Sequence, residues 1–137
     1  MAYSGFLVRI GSYTVPFKFI TSGYKCGIKG NDLDSYNDAD GLLQRNALEN
    51  VAIKLEWNTP YMEGKDCAEL MGAIRSNYID MTEKKALVTA YMPEINGYVS
   101  MNCYVPDIEF EFDYADENGE VWFKPVRIAC IGYGGTI

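Results

Sequence analysis

The sequence predicts a mainly β fold, an antiparallel β-sandwich or partly open barrel of seven or eight strands with one packed α-helix. Three observations lead to this prediction. Runs of alternating apolar and polar residues recur along the chain, short turn sequences join them into sequential hairpins, and only one segment repeats its apolar residues at helical spacing.

Length and composition favour a single globular unit. The chain has 137 residues, of which 48% are hydrophobic, so we expect one domain spanning residues 1–137. Its 19 acidic and 12 basic residues give a net charge of −7, which disfavours general binding to nucleic acid. No apolar run is long enough to span a membrane, and residues 1–5 lack signal-peptide features, so we expect folding in a cytoplasm and no membrane partner.

The first elements are a hairpin followed by edge segments. Gly11-Ser12 is a two-residue connection typical of tight hairpins, and Pro16 ends the second strand. The expected elements are a hairpin of residues 6–10 and 13–15, a continuation of the sheet at 17–20, and an edge strand at 24–28.

Residues 27–50 predict a long interaction loop, because they are rich in residues that bond their own backbone and poor in periodic apolar positions. Loops well beyond about a dozen residues are uncommon in a compact domain unless they are functional. The loop also contains four acids that could serve as oxygen ligands of a calcium ion: Asp32, Asp34, Asp38 and Asp40. Their spacing departs from the EF-hand register, so a solvated turn is favoured.

The middle of the chain predicts one strand and the helix. Residues 51–57 alternate apolar and polar side chains with period two, as in a strand with one buried face. Residues 66–77 predict the helix, because Asp66 and Glu69 resemble a capping box and apolar residues then recur at helical spacing. The apolar stripe expected to pack on a sheet is Cys67, Leu70, Met71, Ile74 and Tyr78.

The last third predicts two further hairpins and a glycine-rich, flexible tail at 132–135. An Asn96-Gly97 turn joins strands at 86–92 and 98–105, and a turn at 116–119 joins strands at 107–114 and 121–133. The strand at 107–114 carries a row of four acids on one face, which predicts either a solvated sheet face or a negative stripe facing the lumen of an assembly. These acids are Asp107, Glu109, Glu111 and Asp113.

The residue types disfavour common catalytic and metal chemistry. The chain has no histidine, which removes the Ser-His-Asp and Cys-His arrangements and histidine-ligated metals. Its four cysteines, the first of which is Cys26, contain no CxxC pair, which disfavours a zinc site. Cys67, Cys103 and Cys130 alternate with apolar neighbours and are expected to be small core residues in a reducing compartment. We therefore expect no enzymatic activity, no cofactor and no metal.

Five segments together resemble small tail-module proteins of phages and prophages of Gram-positive bacteria, of the tail tube, tail-end ring or baseplate type. The similarity extends over nearly the whole chain. The segments are Asp34-Ser-Tyr-Asn-Asp-Ala-Asp-Gly-Leu-Leu-Gln-Arg-Asn46, Val51-Ala-Ile-Lys-Leu-Glu-Trp-Asn-Thr-Pro60, Tyr91-Met-Pro93, Tyr104-Val-Pro-Asp-Ile-Glu-Phe110 and Arg127-Ile-Ala-Cys-Ile-Gly-Tyr133.

The resemblance implies a virion structural role as a tube, tube-initiating ring or baseplate component, assembled in the host cytoplasm. The implied partners are further copies of the chain, as a sixfold ring, and neighbouring tail proteins. The long loop would then contact the next subunit through Tyr36, Leu42, Leu43 and Arg45. The acidic row at 107–113 would face a lumen through which DNA passes, because like charge prevents the genome from binding.

Two alternatives remain open from the residues. A monomeric β-sandwich binding module could hold a carbohydrate or a host surface through exposed aromatic residues, for example Tyr24, Tyr36 and Tyr61. A soluble tail assembly factor that is absent from the finished particle is the second alternative.

Overall fold

The computed structural model describes residues 3–32, 36–37, 39–41, 43–44 and 47–135. Within them the chain forms twelve strands, one α-helix, α1 (Gly64–Ser76), and one short 3-10 helix (Phe17–Phe19). The fold is mainly β, with antiparallel sheets and one helix, which confirms the predicted class. The strands are β1 (Val8–Ile10), β2 (Tyr13–Thr14), β3 (Ser22–Asp32), β4 (Tyr36–Asn37), β5 (Leu43–Gln44), β6 (Ala47–Asn58), β7 (Met62–Glu63), β8 (Lys85–Met92), β9 (Gly97–Tyr104), β10 (Phe112–Ala115), β11 (Val121–Phe123) and β12 (Arg127–Gly132).

The main sheet has seven antiparallel strands in the order β2-β1-β8-β9-β12-β6-β3. It curls strongly, which brings β3 close enough to β8 for the hydroxyl of Tyr24 to donate a 3.0 Å hydrogen bond to the carbonyl oxygen of Tyr91. Three strands separate β3 from β8 in the sheet order. The sheet therefore has the form of the partly open barrel, with β2 and β3 as its edges.

The core lies on the inner face of this curled sheet. Ile53, Leu55 and Trp57 of β6 are fully buried, whereas Lys54 between them is exposed. Burying each such apolar side chain contributes roughly 1.5–3 kcal/mol, so the alternation fixes which face of β6 points inward. The period-two prediction for residues 51–57 is confirmed.

Helix α1 covers the core from the other side through its buried residues Cys67, Leu70 and Ile74. The predicted helix is confirmed, but the capping box is wrong. The N-cap residue is Glu63, which makes no side-chain cap bond. Asp66 lies in the first turn, where its negative charge interacts favourably with the helix dipole. The described residues include no helix with both the length and the apolar character that a membrane crossing requires.

A small sheet of three strands, β10-β11-β7, lies beside α1 in this second layer. The predicted strand at 107–114 is wrong over 107–111, because β10 begins only at Phe112. Side-chain exposure does alternate from Pro106 to Glu111, because Ile108 and Phe110 pack against the core. The segment is nevertheless not a strand, because no described strand forms a ladder with it. A bulge between Phe112 and Tyr114 leaves both of these side chains more than half exposed.

The predicted last strand, 121–133, is two strands in different sheets. β11 belongs to the small sheet and β12 to the main sheet, and Pro125 lies in the break between them. The chain end is held through Gly135, which exchanges two backbone hydrogen bonds of 2.8 and 2.9 Å with Val51. The expectation of a flexible tail at 132–135 is therefore wrong.

The predicted long loop at 27–50 is a β-hairpin in the residues that the structure describes. β3 extends to Asp32 and pairs with β6, which begins at Ala47, and β4 pairs with β5 nearer the tip. Local composition suggested a loop because the segment lacks periodic apolar residues, but cross-strand backbone hydrogen bonds do not need them. Residues 17–19 form the 3-10 helix after Pro16 instead of continuing the sheet.

Gly132 marks a close approach of β12 to β6 that we expect to be sensitive to substitution. A Cβ at this position would lie 2.6 Å from the sulfur of Met101 and 3.0 Å from both the backbone N and O of Ile53. Gly132→Ala should therefore lower the free energy of unfolding by about 1–3 kcal/mol through overpacking, measured by urea denaturation.

Gly72→Ala is the matched control, because a Cβ at Gly72 in α1 meets nothing within 4 Å. This variant should gain about 0.5–1 kcal/mol from helix propensity. Equal stabilities of the two variants would contradict the close approach at Gly132.

Candidate assembly surfaces

The hairpin formed by β3 and β6 gives the molecule a long open sheet edge. β3 has eleven residues and lies at the end of the sheet order, so only one of its two edges is paired with a described strand. Unpaired backbone N–H and C=O groups on such an edge are a template for pairing with another chain. The other edge strand, β2, has only two residues.

The predicted interface residues fall at the tip of this hairpin where they are described. Tyr36 lies in β4 opposite Gln44, and Leu43 lies in β5 opposite Asn37. Leu42 and Arg45 lie outside the described residues, as do Asp34 and Asp38 of the calcium interpretation. The contact of these residues with a neighbouring subunit stays a prediction.

The outer face of the main sheet concentrates positive charge. Residues directly opposite each other on antiparallel strands lie on the same face of the sheet. By this rule, the strand registers place six of the 12 basic residues but only one of the 19 acidic residues on the outer face. Its sign is thus opposite to that of the whole chain. The charged residues on this face are Arg9, Lys25, Lys29, Lys54, Lys85, Arg127 and Glu56.

Three of these cations surround a notch of about 350 Å³ at the base of the hairpin. Lys25 and Lys29 flank Gly27 on β3, and Lys54 lies directly opposite Gly27 on β6. A Cβ at Gly27 would meet nothing within 4 Å, so the floor of the notch is open. The three lysines are exposed, and none forms an ion pair with another described residue. We call this feature the lysine notch.

Glu56, the one acid on the outer face, is bound by a neighbouring cation. Its carboxylate accepts a hydrogen bond from the guanidinium of Arg127 on the adjacent strand β12. This bond, together with the nearby charges of Lys25 and Lys54, holds the pKa of Glu56 below its usual value even though partial burial acts in the opposite direction. Glu56 also lines the lysine notch, but its charge is paired with Arg127, so the three lysines leave the notch with excess positive charge.

The four predicted acids form an exposed strip, residues 107–113, across the core from the lysine notch. Two of them are neutralised within the chain, since Asp107 pairs with Lys84 and Glu111 pairs with Lys124. The hydrogen bond that the Lys124 ammonium donates to the Glu111 carboxylate is the main reason why the pKa of Lys124 is raised. Glu109 and Asp113 form no ion pair with a described residue. Whether the strip faces a lumen stays a prediction.

The three tyrosines of the binding-module alternative do not form one described surface. Tyr24 is half-buried, and its hydroxyl is used in the bond that closes the curl of the sheet. Tyr61 is exposed, at 57%, just before β7. Tyr36 lies at the hairpin tip.

The cysteines behave as core residues. Cys67, Cys103 and Cys130 are buried, Cys26 is half-buried, and all four are free thiols. Burial raises the pKa of the Cys103 thiol to about 12 and raises the pKa of Cys130 further, so both stay protonated and unreactive at neutral pH. Within the described part of the chain, no three acidic or cysteine side chains cluster in a way that could hold a metal ion.

Together these features define a mainly β protein with a curled antiparallel sheet, one covering helix and a projecting hairpin. Comparison with known families gives a match to the model of the Family of unknown function (DUF6711) over residues 1–133, and the chain belongs to this family. No curated protein sequence matches the chain.

Two solved structures are similar over 99% of both chains. One is a chain from the tail of an empty GTA particle obtained with helical refinement and C6 symmetry, with 14% identity and a TM-score of 0.49. The other is from the virion of a native gene transfer agent (GTA) particle, with 12% identity and a TM-score of 0.46. Because both TM-scores are below 0.5, neither likeness identifies the role of this protein.

The buried thiols lead to a labelling prediction. In the native protein at pH 8, iodoacetamide should leave Cys103 and Cys130 unmodified while Cys26 reacts slowly, because only Cys26 is partly accessible. In guanidinium chloride all four should react. Peptide mass spectrometry measures the modification of each site, and rapid native labelling of Cys130 would contradict its burial.

The Glu56–Arg127 pair predicts a pH-dependent contribution to stability. A folded-state pKa below the unfolded value means that ionised Glu56 stabilises the fold, so this stability is present above the unfolded pKa, about 4.3, and is lost as pH falls through the folded pKa. Glu56→Gln should therefore be less stable than wild type at pH 7 and equal to it near pH 2.

Urea denaturation between pH 2 and pH 7 measures this difference, and Glu94→Gln, in the exposed turn after β8, is the control. A stability difference for Glu56→Gln that does not change with pH would contradict the assignment.

Proposed function

We propose that this protein is a non-enzymatic structural component of a bacteriophage tail that assembles into homo-oligomeric rings. The observation that carries the proposal is the outer edge of the eleven-residue strand β3, which pairs with no described strand. Long unshielded edges are uncommon in monomers because they invite pairing with another chain. A chain that keeps such an edge is suited to covering it with a neighbour.

The tail assignment is supported by the sequence resemblance to phage and prophage tail-module proteins. The five resembling segments include much of β6, which is one strand of the hairpin, and β12, which pairs with β6. A tube, a tube-initiating ring and a baseplate component all need a subunit whose contact surface differs from the surface it contacts, so that rotation closes a ring. The sixfold ring, the Gram-positive origin and assembly in the host cytoplasm belong to this proposal.

The hairpin tip is the proposed arm that reaches the next subunit. Tyr36 and Leu43 sit on its two short strands, which gives the arm an aromatic and an aliphatic residue to bury. Leu42 and Arg45 are the other proposed anchors. The proposed non-enzymatic role agrees with the absence of histidine from the sequence.

Replacing residues 33–46 by Asn-Gly tests the arm. Asp32 and Ala47 are direct cross-strand partners, so a two-residue turn can join them and keep β3 paired with β6. We expect a folded protein with an unchanged circular dichroism spectrum that stays monomeric in light scattering at concentrations where wild type forms rings.

A side-chain variant separates the arm's contacts from its length. Tyr36→Ser combined with Leu43→Ser should weaken assembly in the same way, whereas Ile95→Ser, which removes an exposed apolar side chain from the β8–β9 turn, should not. Ring formation by the shortened protein would remove the arm assignment.

Quantitative mass spectrometry of purified particles tests the virion role. About six copies per particle, or a small multiple, are expected for a ring at one end of the tail, and tens to hundreds for a tube subunit. Absence of the chain from particles would instead indicate the assembly-factor alternative.

A further inference from the structure

We propose that the lysine notch of one copy binds the acidic strip, residues 107–113, of a second copy of this chain. This contact rests on the proposed function, because it is an interface within the oligomer. It names the charged surfaces that meet, which the hairpin arm alone does not specify.

The charged residues that would pair have the same separation in sequence on the two surfaces. Lys25 and Lys29 are four residues apart on one face of β3, and Glu109 and Asp113, the two acids without an ion pair, are also four residues apart. Four residues of regular strand span about 13 Å, as between Lys25 and Lys29. The strip is less regular, because β10 begins only at Phe112 and is bulged next to Asp113. The long lysine side chains adjust to reach Glu109 and Asp113, and Lys54 adds a third positive charge over the open floor at Gly27.

The positions of the two surfaces exclude pairing within one chain. The lysine notch is on the outer face of the main sheet. The strip belongs to the second layer, where Ile108 and Phe110 pack against the core. The core separates them. The contact is therefore between different surfaces of two copies, the head-to-tail kind that generates rings or stacked arrays.

Charge favours a protein occupant over a nucleic acid. The chain as a whole carries −7, so a polyanion is repelled before it reaches a face that holds only six of the basic residues. The strip offers the carboxylates of Glu109 and Asp113, which form no ion pair with a described residue, although the charge of Asp113 also acts on Lys124. In this arrangement Glu109 and Asp113 lie at a contact between copies instead of facing a lumen.

A charge exchange tests the contact. Lys25→Glu with Lys29→Glu, and separately Glu109→Lys with Asp113→Lys, should each raise the protein concentration needed for assembly by roughly tenfold or more, since exposed pairs become like-charge repulsions. The protein with all four substitutions should recover most of the wild-type assembly, because the pairs are restored with reversed signs. Light scattering at 50 and 500 mM NaCl measures assembly, and wild type should assemble less well at high salt.

A control variant places charge changes away from the two surfaces. Lys65→Glu with Glu117→Lys makes the same kind of charge changes at exposed positions outside both surfaces and should assemble normally. Double variants that assemble like wild type, or a fourfold variant no better than the doubles, would overturn this contact while leaving the ring in place. A wild type that stays monomeric at every concentration would overturn the ring as well.

Binding of a DNA duplex is measured last. We expect no change in the fluorescence anisotropy of a labelled duplex with wild-type protein at 100 mM NaCl. Binding by wild type that the Lys25→Glu, Lys29→Glu variant loses would reassign the lysine notch to nucleic acid and overturn the proposal.

Discussion

The register of β6 is the constraint on which the rest of the structure depends. This strand pairs with β3 on one side and β12 on the other, and its alternate residues Ile53, Leu55 and Trp57 fill the core. A slip of one residue would bring Trp57 to the surface and bury Lys54, at a cost far larger than any single surface contact. The buried face of β6 therefore also determines what the outer face displays.

The charged surfaces follow from this register. Lys25, Lys29 and Lys54 meet only because Gly27 lies opposite Lys54, and Arg127 reaches Glu56 only because β12 is paired with β6 in its present alignment. Core packing and surface charge are thus two results of the same strand alignment. A substitution that disturbed the inner face would rearrange the outer one.

Much of the fold could be predicted from the sequence, because period-two patterns and turn residues report on local structure. The β1–β2 and β8–β9 hairpins, β6 and α1 are all in place. The hairpin at 27–50 was missed because its strands are held by a ladder with a distant partner, and 107–111 was assigned to a strand because its half-buried residues alternate without such a ladder. For the candidate site, the unusual composition of residues 27–50 was visible in the sequence, and the contact of this segment with a neighbour stays a prediction. The lysine notch could not be predicted, since its residues are about 25 positions apart and meet through register.

The sorting of charge between the outer sheet face and the rest of the molecule has a kinetic consequence. A body with a positive side and a negative remainder has an electric dipole, so a charged partner exerts a torque on it before the two touch. Orientation during the diffusional encounter then raises the fraction of collisions that are productive. In the proposed assembly, the strand alignment thus influences both the rate and the orientation of encounter.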